Sequence, residues 1–337
     1  MLNILLTSVG RRSYLVEYFK KALNGKGKVI CTNMYADAAA MYVGDISVIT
    51  PPSHDKTYIP TIIEICKKHN IKLIFSLHDL DVYILSQHLD LLRQTGAVPV
   101  LPSAKWGKIS LDKYECSQIL QENNIDVPWF TVDLQTAKEA IKSKEIHYPL
   151  IVKARMGFGS LGLVLCHNAE ELDWAFHRVH RQVKKFFYNW LPSTSSNQNV
   201  LIQQAISGKE YCLDVINDLS GNYACHFLCE VHSMRAGETD MVSTADRNLV
   251  GDLPIRLSLL TRHLGSWGID CMEDDGVYRV IDVNPRFTGD YPFHQVTGAN
   301  IPAALISWAQ GLEPDSEWLK AESGIRCYKD LVPKRLK

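Results

Sequence analysis

The sequence lacks a long apolar run, a large net charge and a cysteine pattern, and each absence removes a class of protein. No segment of the 337 residues is apolar for the roughly 20 positions that a membrane helix needs. Lysine and arginine number 36 against 37 acidic residues, so composition offers no basic footprint for nucleic acid. Apolar residues make up 46%, which sets the chain apart from disordered sequences. The opening MLNILLTSVGRR has too short an apolar stretch for a signal peptide, and its charges follow that stretch rather than precede it. Nine cysteines are scattered singly, and the closest, Cys212, Cys225 and Cys229, lack the partners of a zinc site. They read as reduced core thiols of a cytoplasmic protein. What is present is length enough for two or three domains around a large core.

Over the first hundred residues short β-rich runs alternate with amphipathic stretches. Strands are predicted at 3–7, 28–32, 47–50, 72–76 and 98–101, with helices at 13–23 and 59–69 and another from 82 to about 95. That alternation predicts a parallel, doubly wound sheet, with ligands bound beyond the strands' carboxyl ends. Three loops there carry suitable groups: 8–11, 33–37 and 76–81. The first has only Gly10, so the dinucleotide fingerprint is absent.

Residues 268–286, GIDCMEDDGVYRVIDVNPR, read as a hairpin turning at Asp274-Asp275-Gly276. Alternation sets Asp282 and Asn284 on one side and Ile281 and Val283 on the other. Hard oxygen ligands two residues apart suit Mg²⁺. Asp270 joins them if the loop has five residues; a two-residue turn would put it on the opposite face. Arg286 follows with a guanidinium suited to a phosphate or an oxyanion.

Residues 102–106 read as a linker. Ser110 is the expected N-cap of a helix to about 121, with Lys113 in its first turn. A cation there is mildly disfavoured unless an anionic ligand arrives. Residues 149–153 read as a strand ending in Lys153, and Gly157, Gly159 and Gly162 follow. These glycines join two strands instead of opening a helix, which argues against a dinucleotide turn and a dehydrogenase. No Gly-Lys-Ser/Thr follows, so the loop is not a Walker loop. A glycine-rich hairpin can fold over phosphates. Residues 189–199 read as a polar loop. The strand 200–206 ends in Gln203, Gln204, Ala205 and Ile206, whose backbone groups can read an adenine edge, and Glu210 can accept ribose hydroxyls. The polar run 230–248 is the expected acceptor-side wall, with Arg235 a candidate for a substrate carboxylate. Tyr291, Phe293 and His294 are further candidate cavity residues.

With these elements in order, the chain resembles the ATP-grasp superfamily, most of all the carbamoyl phosphate synthetase large chain and related carboxylate–amine ligases. The resemblance covers about residues 1–310. It rests most specifically on Val280-Ile281-Asp282-Val283-Asn284-Pro285-Arg286, similar to the family's acidic-x-Asn-Pro-Arg metal segment. It implies a domain at 1–105 preceding the grasp fold, subdomains at 106–200 and 201–315, and a tail at 316–337. It implies that Lys113, Lys153 and the glycine loop hold the phosphates of ATP, and that Gln203 to Ile206 and Glu210 hold adenine and ribose. Asp270, Asp282 and Asn284 would hold one or two Mg²⁺, with Mn²⁺ an alternative ion. Aspartate stands at 270 and 282 where the family more often has glutamate. Arg286, Lys153 and Arg235 are the implied catalytic residues. The implied partners are a small carboxylate and an amine, without nucleic acid or membrane, in a monomer or a homodimer. The implied reaction converts ATP to ADP and phosphate while activating a carboxylate as an acyl phosphate. A catalytically silent ATP-binding regulator of the same fold is the alternative.

Overall fold

The computed structural model describes residues 1–157, 162–186, 198–235 and 237–333. Strands β1 (Asn3–Thr7), β2 (Val29–Asn33), β3 (Ile46–Ile49), β4 (Ile71–Ser76) and β5 (Val98–Pro99) form a parallel sheet in the order β3-β2-β1-β4-β5. Residues such as Ile4, Leu5 and Leu6 of β1 are fully buried, because helices cover both faces of a parallel sheet. The helix Ser13–Leu23 turns Leu15, Val16, Phe19 and Leu23 inward at helical spacing. Strand order reverses between β1 and β4, so the loops after these two strands part and leave a crevice.

A second sheet holds β6 (Phe130–Thr131), β7 (Leu150–Ala154), β8 (Val164–Cys166) and β9 (Val200–Gln204) in the order β6-β9-β7-β8. The third and largest sheet is antiparallel. It contains β10 (Lys209–Asn217), β11 (Tyr223–Arg235), β12 (Glu238–Thr244), β13 (Gly265–Asp274), β14 (Val277–Asn284) and β15 (Arg326–Tyr328) in the order β14-β13-β10-β11-β12-β15. The helix Ile301–Ala309 joins the core of the first sheet, where Ile301 and Leu305 pack with Phe19 and Phe287. All nine cysteines are free thiols, and only Cys327 is not buried. Among the described residues no helix is long and apolar enough to cross a membrane.

Three expectations are corrected. The stretch read as a linker folds at 104–109 into a helix, Ala104–Ile109, capped by the Ser103 side chain. The next helix begins at Lys113, and its N-cap is Asp112, not Ser110; the Asp112 carboxylate accepts from the Tyr114 and Glu115 N–H groups, while Ser110 lies three residues before the first helical residue. The tail contributes β15 to the edge of the large sheet. Most of the polar loop expected at 189–199 lies outside the described residues.

Candidate active site

A cleft of about 640 Å³ opens where the three sheets meet. Its floor is the hairpin of β13 and β14. Asp274 pairs with Val277, so the turn has two residues, Asp275 and Gly276, both with positive φ (51° and 79°) as the tightest hairpin turn demands. The five-residue loop is therefore wrong, yet Asp270 does face Asp282. Cys271 pairs with Val280 and Asp270 with Asp282, so Ile281 is an extra residue, a β-bulge that restores the facing pair. The bulge also corrects Ile281, which lines the cleft beside Asp282, while Val280 and Val283 are buried in the core.

Carboxylates crowd this floor. Asn284 Nδ2 donates to Asp270 Oδ2 at 3.2 Å, and Lys113 Nζ donates to Asp282 Oδ1 at 2.5 Å. Burial, together with Asp282, Asp290 and Glu210, pushes the Asp270 carboxyl well above the usual range. Burial works to lower Lys113, but the Asp282 carboxylate outweighs it and raises the ammonium. Lys153, next to last in β7, donates from Nζ to Ile281 O at 3.4 Å. Burial and the Lys113 charge lower its pKa to about 8.

The donor set fits a divalent cation. One oxygen each of Asp270 and Asp290 lies with Cys212 Sγ within a 4.8 Å cluster, and Asp290 Oδ1 is buried with no hydrogen-bond partner. The Lys113 charge does not offset the crowding at Asp270, and a divalent ion would.

The other expected residues divide. Gly157, Gln203, Gln204, Ile206 and Glu210 line the cleft. Gln203 Nε2 is buried without a partner, a donor that an acceptor-bearing ligand would satisfy. Burial and Asp290 raise the Glu210 carboxyl. The Gln204 side chain is committed to the chain itself, donating to His147 O and Pro149 O, and the Ala205 N–H donates to Pro149 O. Gly162 packs against Val179 and is not among the cleft-lining residues; Gly159 lies outside the described residues. Arg235 is corrected. Its guanidinium meets Asp240 at 2.8 Å on the exposed end of the β11–β12 hairpin, and Glu238 and Thr239 line the cleft instead. Tyr291 and His294 are fully buried, and their neighbours Gly289 and Asp290 take the cleft wall.

Arg286 lines the cleft, but it is not a free guanidinium. It forms a fork with Asp79, at 2.7 and 2.8 Å, and reaches Asn284 Oδ1 at 3.2 Å. Burial alone would raise Asp79; Arg286 overrides it and holds the carboxyl at about 2. Arg12 lines the cleft too, donating to Leu77 O and Phe287 O. Arg12 and Asp79 lie in or beside the crevice loops flagged from sequence, but no motif distinguishes them. Asp290 carries no local signal at all.

A PylC-like N-terminal domain matches residues 4–101, and an ATP-grasp domain matches residues 110–290, more than half of the chain. The arginine-specific large chain of mitochondrial carbamoyl phosphate synthase from Neurospora crassa is 26% identical over 251 residues, 68% of this chain but 20% of that one. The biotin carboxylase domain of 2-oxoglutarate carboxylase from Hydrogenobacter thermophilus, solved with MgADP, ADP and bicarbonate, superposes with a TM-score of 0.74 at 17% identity, covering 96% of this chain and 73% of that one. N5-carboxyaminoimidazole synthetase from Staphylococcus aureus, solved with ADP, gives 0.71 at 15% identity, covering 93% and 78%. With the family matched over most of the cleft's walls, the chain belongs to the ATP-grasp family.

Proposed function

We propose that this protein is a Mg²⁺-dependent ligase that uses ATP to activate a small carboxylate as an acyl phosphate and joins it to an amine, releasing ADP and phosphate. One observation carries the reading. Two lysines, a facing pair of aspartates and an asparagine come from distant stretches of chain into one cleft. A binder of nucleotide alone has no need of that set.

Asp270, Asp282 and Asn284 would hold the metal, which when bound supplies charge that screens the phosphate oxygens. Lys113 and Lys153 would grip the phosphates, with Gly157 leaving the backbone open to them. Gln203, Ile206 and Glu210 would hold the nucleoside. Arg286, tied to Asp79, orients Asn284 and faces the reacting end. Phosphoryl transfer asks mainly for alignment and charge stabilisation, and the buried lysines supply both. The carboxylate oxygen attacks the γ-phosphorus and the bond to ADP breaks. The amine then attacks the acyl carbon, loses a proton, and phosphate departs.

The test is ADP release from MgATP with pools of candidate carboxylates and amines, repeated with Mn²⁺ and without metal. Release that needs both substrates and the metal supports the ligase. Nucleotide binding without any release under every pool supports the silent regulator instead.

A further inference from the structure

Lys113 and Lys153 reach the cleft from two separate bodies. The helix Lys113–Glu122 packs Cys116 and Leu120 into the core of the large sheet, whereas Lys153 lies on β7 of the second sheet. Both ammonium groups arrive at β14, Lys113 on the Asp282 carboxylate and Lys153 on the Ile281 carbonyl. Like charges brought to one place repel. The Lys153 ammonium registers this, since burial and then the Lys113 charge lower it. A fixed spacing between the two therefore needs a support outside the pair.

Asp112 and Arg155 stand where that support is needed. Arg155 Nε and Nη2 each meet the Asp112 carboxylate at 2.8 Å, a fork whose two side chains are almost wholly buried. The same carboxylate caps the helix that Lys113 opens. The Lys113 N–H donates to Arg155 O at 3.0 Å, and Asp112 and Met156 form an isolated antiparallel bridge. The guanidinium also lies 4.9 Å from the Tyr114 ring centroid and donates to Gln198 O at 3.4 Å. Among the described residues this is the only ion pair joining the stretch 129–205, which holds the second sheet, to the rest of the chain. The nucleoside end of the cleft needs no such tie. There β9 runs on through 205–208 into β10, so Gln203 and Glu210 are held together by the chain itself. Neither Asp112 nor Arg155 is among the cleft-lining residues.

We propose that Asp112 and Arg155 are a positioning pair: their fork sets the spacing of Lys113 and Lys153, and through it the grip on a nucleotide's phosphates. Neither residue touches the nucleotide. Without the fork, the backbone bridge alone joins the two bodies at this point, and the repelling ammonium groups settle farther apart. The inference rests on the ligase reading, which gives those two lysines to the phosphates.

The test measures Kd values for AMPPNP, a non-hydrolysable ATP analogue, with Mg²⁺, and for adenosine, by calorimetry on the full chain. Arg155→Met should raise the AMPPNP Kd roughly tenfold or more and leave the adenosine Kd unchanged. Arg155→Lys keeps the charge without the fork and should fall between wild type and Arg155→Met. Asp112 keeps its two N–H donors in both variants, so the helix cap stays. A merely structural pair would lower the thermal midpoint and leave the AMPPNP-to-adenosine affinity ratio as in wild type. An unchanged ratio in folded Arg155→Met, or an equal loss for both ligands, overturns the inference. If Arg155→Met does not fold, Arg155→Lys decides on the same ratio. If wild type binds AMPPNP no more tightly than adenosine, the lysine assignment falls and the ligase reading with it. A wild-type preference that survives in the variants sinks the positioning pair alone.

Discussion

Asp270 faces Asp282 across β13 and β14 only because Ile281 bulges from the ladder between them. With the two-residue turn at Asp275 and Gly276, a regular ladder would have set Asp270 opposite Ile281. The bulge brings Asp282 to the cleft and turns the Ile281 carbonyl toward Lys153. Bulges that re-aim side chains are common beside active sites. If the pair is a metal seat, Asp282→Ala and Asn284→Ala should each lower Mg²⁺-dependent ADP release by on the order of 10²–10³-fold or more. Circular dichroism should show the fold retained. Undiminished release in both variants would remove the metal assignment.

The sequence made the strand–helix alternation and the grasp segments legible because each rests on local pattern: apolar periodicity in 13–23, and Asp282-x-Asn284 on one strand. The bulge was hidden because it breaks the period that a strand reading assumes. Ser110 and Asp112 are chemically comparable caps, and only the chain path decides between them. Arg235 looked like a carboxylate binder, but its partner Asp240 sits across its own hairpin, and the hairpin tip is exposed. The partner of Arg286 lies 207 residues away, beyond any local pattern.

Gln203 places a buried amide donor, without a partner, in the cleft wall. An unsatisfied polar group costs the protein about 1–3 kcal/mol, and that cost vanishes when a ligand accepts its hydrogen bond. Gln203→Leu should therefore raise the thermal midpoint of the ligand-free protein while weakening ATP binding by roughly tenfold or more. The two measurements, melting and nucleotide titration, should move in opposite directions. A variant that melts lower and binds ATP as before would show that the amide is structural.

The Asp79–Arg286 fork ties the first sheet's crevice to the end of β14, with both side chains almost wholly buried. Removing one partner of a buried pair leaves an uncompensated charge, at a cost of about 3–5 kcal/mol. Asp79→Ala should lose about that much stability in urea unfolding, and Asp79→Leu combined with Arg286→Met should recover most of it. The fork has a pH signature. Its carboxyl is depressed to about 2, so its contribution is complete above about pH 4 and is lost as the pH falls toward 2. Wild-type protein should lose more stability over that interval than Asp79→Asn. Parallel pH curves for the two would mean that the pair adds nothing.

Lys153 offers a test of phosphate binding that needs no substrate. Burial and the neighbouring Lys113 lower its ammonium to about 8 in the ligand-free protein. A polyphosphate beside it favours the charged form and raises that value. Between about 8 and the raised value, the free protein has lost the proton and the complex holds it. Nucleotide binding in this window must therefore take up protons, whereas well below it the lysine is charged in both states and exchanges none. Calorimetry of AMPPNP binding at about pH 8.5, in two buffers of different ionisation enthalpy, should report net uptake that disappears at about pH 6.5 once the nucleotide's own titration is subtracted. Lys153→Arg should abolish the uptake, because a guanidinium stays protonated throughout. Uptake that persists unchanged in Lys153→Arg would place the proton on another group and remove Lys153 from the phosphates.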